Sequence, residues 1–133
     1  MTKIESDKRL IAQSEEIIFQ FLTNFNNFES LMPDKVTQWQ STQDNCYFSI
    51  AGIAHLGMRI VEKNNTHFIK IKDDGEVPFK FDFLIYLEAI SSKETELKLV
   101  FDADLNMMMK AVAVKPLKDF LEKLLDKLQA MYV

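Results

Sequence analysis

Two runs of alternating apolar and polar residues lie between Pro78 and Leu105, separated by a turn at residues 91–93. The apolar positions of these runs are Phe79, Phe81, Phe83, Ile85 and Leu87, followed by Leu97, Leu99, Phe101, Ala103 and Leu105. Successive side chains of a strand point to opposite faces of a sheet, so each run predicts a strand with one apolar face. Another element of the chain must cover that face.

The apolar residues at the end of the chain have helical spacing, and this helix is predicted to cover the apolar face of the two strands. Its apolar stripe consists of Leu117, Phe120, Leu121, Leu124, Leu125, Leu128 and Met131. Pro116 leaves two alternatives, because proline is tolerated in the first turn of a helix and kinks its interior. The helix begins either at Pro116 or near Met107. Residues 107–114 contain no turn formers, which favours the longer, kinked helix.

The first half of the chain predicts the remaining elements. Residues 2–12 read as one strand with Ile4, Ser6, Lys8 and Leu10 on the same side. Ser14 is a helix N-cap, and a second short helix ends at Pro33. Five or six strands follow. The predicted fold class is α+β, a curved antiparallel sheet of six to seven strands gripping a long C-terminal helix, with two short helices after the first strand. Residues 1–133 are predicted to form a single domain.

Composition and charge narrow the function classes. The net charge is −4 and the lysines are scattered, which argues against a nucleic-acid partner. A single cysteine excludes an internal disulfide or a paired-cysteine metal site. A charged N-terminus and the lack of a long apolar stretch predict a cytoplasmic protein without a membrane span. Eleven phenylalanines against one tryptophan and three tyrosines suit a dry interior or an apolar pocket.

Several segments resemble one known superfamily. They are IES at 4–6, QSEEIIFQFL at 13–22, FESLMP at 28–33, FSIAG at 48–52 and the closing helix at 117–128. In this order they resemble the START-like superfamily (SRPBCC, helix-grip or birch-pollen-allergen-like proteins), and in particular small bacterial members similar to polyketide cyclases and to a carbon-monoxide-dehydrogenase-related group. The resemblance implies an apolar cavity between sheet and helix. It supplies no universal catalytic residue.

The predicted inward positions are the candidate cavity lining. They are Phe48, Ile50, Leu56, Met58, Phe79, Phe81, Phe83, Leu99, Phe101, Met108, Val112, Leu117, Phe120 and Leu121. Flexible methionines suit a wall that reshapes around a guest. The alternative is that these side chains meet and fill the core, where each contributes about 1.5–3 kcal/mol.

Few polar residues are candidates for chemistry. His55 and Arg59 are possible polar groups at the pocket mouth, where Arg59 would hold an anionic group; the alternative places both on the convex face. Cys46 alternates with buried positions and is predicted to be a small buried hydrophobe. No catalytic residue, metal site or cofactor is predicted.

Three functions remain open on the sequence alone. The preferred hypothesis is a lipid-binding or ligand-binding protein that carries a hydrophobic small molecule, as a monomer or homodimer. The alternatives are a polyketide cyclase or dehydratase-like enzyme, and a protein-interaction or chaperone-activator module that uses exposed rings such as Tyr47, Trp39 and Tyr86.

Overall fold

The computed structural model describes residues 1–132, with Ala54 described by its backbone only. The strands are β1 (Thr2–Glu5), β2 (Arg9–Ile11), β3 (Val36–Ser41), β4 (Asn45–Ile50), β5 (Ala54–Asn64), β6 (Phe68–Asp73), β7 (Phe81–Ser91) and β8 (Glu94–Ala103). The helices are α1 (Glu15–Leu22) and α2 (Met107–Met131), with two 3₁₀ turns at Phe25–Asn27 and Glu29–Leu31. The predicted α+β arrangement is confirmed.

All eight strands belong to one antiparallel sheet in the order β1-β8-β7-β6-β5-β4-β3, and β2 also pairs with β8. The sheet has eight strands rather than six to seven because the predicted first strand is interrupted after Glu5. At the interruption, the backbone N–H of Leu99 donates to the Ser6 hydroxyl at 2.9 Å, in place of a backbone acceptor. The break also changes the alternation, so that Ile11 is buried and Leu10 is exposed, contrary to the prediction for Leu10.

The start of α1 is fixed by polar contacts. Ser14 caps the helix by accepting a hydrogen bond from the N–H of Ile17, as predicted. The next residue, Glu15, is buried; its carboxylate accepts from the backbone N–H of Ala89 at 2.8 Å and contacts Thr66 and His67. Glu15 therefore ties the beginning of α1 to the β5–β6 turn and to the end of β7.

Helix α2 runs from Met107 through Pro116 to Met131, which confirms the longer of the two predicted helices. The Asn106 side chain caps it by accepting from the N–H of Met109 at 2.8 Å. Pro116 has no N–H, so the helix lacks one backbone hydrogen bond at this point. None of the helices in residues 1–132 is both long enough and apolar enough to cross a bilayer.

The part of α2 that follows Pro116 is bound to the rest of the protein by polar side chains. Arg9 pairs with Asp126 at 2.6 Å and with Glu122 at 3.1 Å. Lys127 donates to the carbonyl of Met32 at 2.6 Å. Within residues 1–132, every hydrogen bond between an α2 side chain and another element comes from Lys118 or a later residue. The first half of the helix is held by apolar packing alone.

Candidate ligand slot between the sheet and the C-terminal helix

A narrow slot opens where the middle of α2 passes the end of β4 and the segment before β3. Its lining residues are Pro33, Lys35, Ile50, Pro116, Asp119, Phe120 and Lys123. The lining combines two prolines, Ile50 and the buried Phe120 with three charged residues, Lys35, Asp119 and Lys123. The slot encloses about 40 Å³.

Aromatic rings occupy the interior below the slot. The Phe120 ring centroid lies 6.2 Å from that of Phe48, with the rings nearly parallel, and 6.2 Å from that of Phe83. Phe83 contacts Phe101 at 5.8 Å, and Trp39 stacks on Phe48 at 5.1 Å. The space between sheet and helix is therefore largely filled by a continuous row of rings.

The slot is small by the standards of ligand sites, which usually measure about 300–1,000 Å³. Larger hollows of about 350–410 Å³ occur on the open surface, for example the one on the outer face of the sheet that borders Phe68 and Tyr86. The slot as it stands cannot enclose a whole aromatic molecule.

Twelve of the predicted lining residues are buried between sheet and helix: Phe48, Ile50, Leu56, Met58, Phe79, Phe81, Phe83, Leu99, Phe101, Leu117, Phe120 and Leu121. Ile50 and Phe120 border the slot itself. Contact between any of these residues and a ligand stays a prediction.

Met108 and Val112 were predicted to line the cavity, and the structure contradicts this. Their side chains are 79% and 51% exposed. The core side of this part of α2 is formed by Ala113 and Leu117. One residue corresponds to a rotation of about 100° around a helix, so Met108 and Val112 fall outside the face that packs on the sheet.

His55 and Arg59 are not pocket groups, because both lie exposed on the outer face of β5. The His55 Nδ1 atom is 2.7 Å from the hydroxyl of Ser49 on the neighbouring strand. Arg59 Nε lies 4.0 Å from a carboxylate oxygen of Asp74. Phe48 and Ile50 point inward on β4, so their neighbour Ser49 and its partner His55 must point outward.

Trp39 is half-buried and stacks on Phe28 and Phe48. Gln38 has a left-handed backbone (φ 58°) at an irregularity in the pairing of β3 with β4, next to Trp39. The indole N–H of Trp39 is buried and has no acceptor among residues 1–132. Tyr47 and Tyr86 are each 43% exposed, but Tyr47 bonds to Asp74 and Tyr86 packs on Phe68, at opposite ends of β6. These three rings do not form one patch.

The thiol of Cys46 is expected to report on opening of this core. Cys46 is fully buried on β4, as predicted, and burial raises the pKa of its thiol. We expect a disulfide reagent at pH 8 to modify the native protein at least about 100-fold more slowly than the denatured protein, since the thiolate is the reactive form. The measurement is the rate of thiol release with and without guanidinium chloride. A native rate close to the denatured one would show that β4 opens locally.

Five of the slot residues were not identified from the sequence: Pro33, Lys35, Pro116, Asp119 and Lys123. Pro33 was interpreted only as the end of a short helix and Pro116 only as a kink or a helix start, and Asp119 and Lys123 lie outside the predicted apolar stripe of α2. No local pattern brings residue 33 next to residue 116, because the contact depends on how α2 crosses the sheet.

Comparisons with known proteins agree with this architecture. No protein-family model matches the chain, and no curated protein matches its sequence. Among solved structures, a START superfamily protein from Mycobacterium smegmatis is similar over 98% of this chain and 96% of its own, with 12% identity and a TM-score of 0.77. The protein XoxI from Bacillus cereus is similar over 99% and 96%, with 14% identity and a TM-score of 0.78.

A third similar structure contains small aromatic molecules. Norcoclaurine synthase from Thalictrum flavum, in complex with dopamine and hydroxybenzaldehyde, matches 98% of this chain and 85% of its own, with 11% identity and a TM-score of 0.72. Similarity at this level of identity extends to the fold and to nothing finer. The chain has the helix-grip fold of the START-like superfamily.

Proposed function

We propose that this protein binds a small apolar molecule in the slot between the sheet and α2. The observation that carries the proposal is the position of the slot: it is where the apolar interior meets solvent. Pro33, Ile50 and Pro116 provide apolar walls, and Phe120 separates the opening from the row of rings below. The likeness to polyketide cyclases and to the carbon-monoxide-dehydrogenase-related group supports this proposal only as an analogy.

A guest enters by displacing Phe120 and loosening the first half of α2. That half has no polar side-chain contact to another element within residues 1–132, and it ends at Pro116, which forms one wall of the slot. Segments held by few contacts open at lower free-energy cost than the rest of a protein. The apolar area that the guest buries, at about 25 cal/mol per Å², offsets the cost of moving the ring.

The opening favours a guest that has one polar or acidic end. Lys35 and Lys123 line the slot, and no ion pair among residues 1–132 involves either of them. Asp119 is the one carboxylate in the lining, so the opening carries more positive than negative charge. The complex of norcoclaurine synthase with dopamine and hydroxybenzaldehyde supports, by analogy, a guest of the size of a small aromatic molecule.

Native mass spectrometry tests this proposal. The wild-type protein, purified gently and incubated with an apolar cell extract, is expected to carry an added mass that disappears under denaturing conditions. Ile50→Phe fills the slot and is expected to lose that mass. Val61→Phe adds the same kind of bulk at an exposed position of β5 and serves as the control. Thermal melts establish that both variants are folded.

Two results would contradict the proposal. One is a wild-type protein that stays free of any added mass after incubation with the extract. The other is an added mass that folded Ile50→Phe retains in full, which would place the guest elsewhere. The cyclase hypothesis gains no comparable support, because His55 and Arg59, the two polar groups predicted at the pocket mouth, lie on the outer face.

A further inference from the structure

We propose that the first half of α2 docks on the surface of an anionic lipid bilayer. The two most exposed large apolar side chains of the residues described lie in this half, Met107 at 87% and Met108 at 79%, and Val112 is 51% exposed. Ala111 is also exposed and lies among them. Positions i, i+1, i+4 and i+5 share one side of a helix, so the four residues form a single apolar face, here called the methionine face.

Every charged residue between Asp104 and Asp119 is a lysine. Lys110 and Lys115 are exposed and take part in no ion pair among residues 1–132. No acidic residue occurs between Asp104 and Asp119, although the whole chain has a net charge of −4. A helix with an apolar face beside lysines, in a protein that is otherwise acidic, matches the chemistry of an interfacial helix on anionic lipid.

Other occupants of this face fit less well. In a two-fold contact between copies of the chain, the same patch meets itself, so Lys110 and Lys115 would face the lysines of the second copy. Protein interfaces are enriched in aromatic residues, methionine and arginine and depleted in lysine; the methionine face has methionine but no aromatic residue or arginine, and lysines border it. The face spans less than two helical turns, which is also short of a standard protein interface. To bind an anionic lipid surface, a helix needs only an aliphatic face bordered by positive charge.

Docking on lipid does not depend on ligand binding in the slot. It does, however, affect where the slot opens. Pro116 directly follows Lys115, one turn beyond the methionine face, and itself lines the slot. Docking of residues 107–115 therefore brings the opening of the slot close to the lipid. The two proposals can fail separately, since vesicle binding and guest binding are measured independently.

Vesicle flotation tests the docking proposal. The full chain is mixed with vesicles of phosphatidylcholine alone, or of phosphatidylcholine with phosphatidylserine, at low and at physiological salt. We expect wild-type protein to float with the anionic vesicles, more strongly at low salt, and much less with the neutral ones. The double variant Lys110→Glu/Lys115→Glu is expected to bind anionic vesicles at least about tenfold more weakly. Met108→Ser/Val112→Ser should weaken binding at both salt concentrations.

Matched controls use exposed residues elsewhere. Lys63→Glu/Lys93→Glu makes the same charge change away from α2, and Ile90→Ser removes an apolar side chain that is 53% exposed. Both should bind as wild type does. The proposal is overturned if wild-type protein does not float with anionic vesicles at low salt. It is equally overturned if the control variants lose as much vesicle binding as the α2 variants do. It is also overturned if wild type forms a dimer that Met108→Ser/Val112→Ser dissociates, because a second copy then covers the face.

Discussion

Gly57→Ala is expected to destabilise this protein severely. Gly57 lies inside β5, directly opposite Tyr47 of β4, and its carbonyl accepts a hydrogen bond from the N–H of Asp74 at 2.8 Å. A methyl group at this position would overlap the backbone carbonyl oxygen of Asp74 and approach two carbons of the Tyr47 ring at 2.8 and 2.9 Å. A backbone atom cannot move aside as a flexible side chain can.

The expected loss exceeds about 4 kcal/mol, a large share of the 5–15 kcal/mol by which domains are usually stable. Guanidinium unfolding followed by circular dichroism measures it. Gly52→Ala is the matched control: Gly52 has φ +90°, but no atom lies within 4 Å of the added methyl, so only the backbone strain of about 1–2 kcal/mol is expected. Equal losses for the two variants would contradict the steric explanation.

Phe120→Ala is expected to destabilise the protein by about 3–5 kcal/mol and to enlarge the slot. The Phe120 ring is 2% exposed and lies between the rings of Phe48 and Phe83. Its removal leaves an apolar space that opens into the present slot. Apolar cavities of this kind bind small aromatic molecules, so indole should raise the melting temperature of Phe120→Ala.

Leu128→Ala provides the control for this variant. Leu128 is fully buried on the same helix, about two turns further on, and does not border the slot. Its truncation should cost about 2–5 kcal/mol, and the smaller space that it leaves does not join the slot, so indole should raise the melting temperature of Leu128→Ala less than that of Phe120→Ala. Stabilisation of Leu128→Ala by indole equal to that of Phe120→Ala would show that the response is unrelated to the slot.

The fold could be predicted because its elements follow from short-range patterns. Alternation in residues 79–87 and 97–105 fixes which side of β7 and β8 is apolar, and the register Phe83↔Phe101 joins the two apolar faces. Ser14 and Pro33 mark helix ends through their own local chemistry. The break between β1 and β2 escaped prediction because there the Ser6 side chain takes over a hydrogen bond that the backbone ordinarily makes.

The site was predicted less well, for two physical reasons. Residues 107–114 are nearly all apolar, so their composition does not distinguish the face that packs on the sheet from the face that carries Met108 and Val112. The slot joins Pro33 to Pro116, and such a contact depends on the crossing of α2 over the sheet rather than on spacing along the chain. The predicted core residues were correctly placed inside, and most of them contact each other instead of enclosing a large cavity.

A methyl nuclear magnetic resonance titration tests most directly whether the slot binds an apolar molecule. Isoleucine and leucine methyl groups are labelled in wild-type protein, and indole or decanoate is added as an aromatic or an acyl probe. Binding in the slot predicts saturable shifts for Ile50 and Leu117, which lie at or beside it, and none for Ile90 and Leu84 on other surfaces. Shifts confined to Leu84 and Ile90, or no saturable shift of Ile50 with either probe, would contradict it.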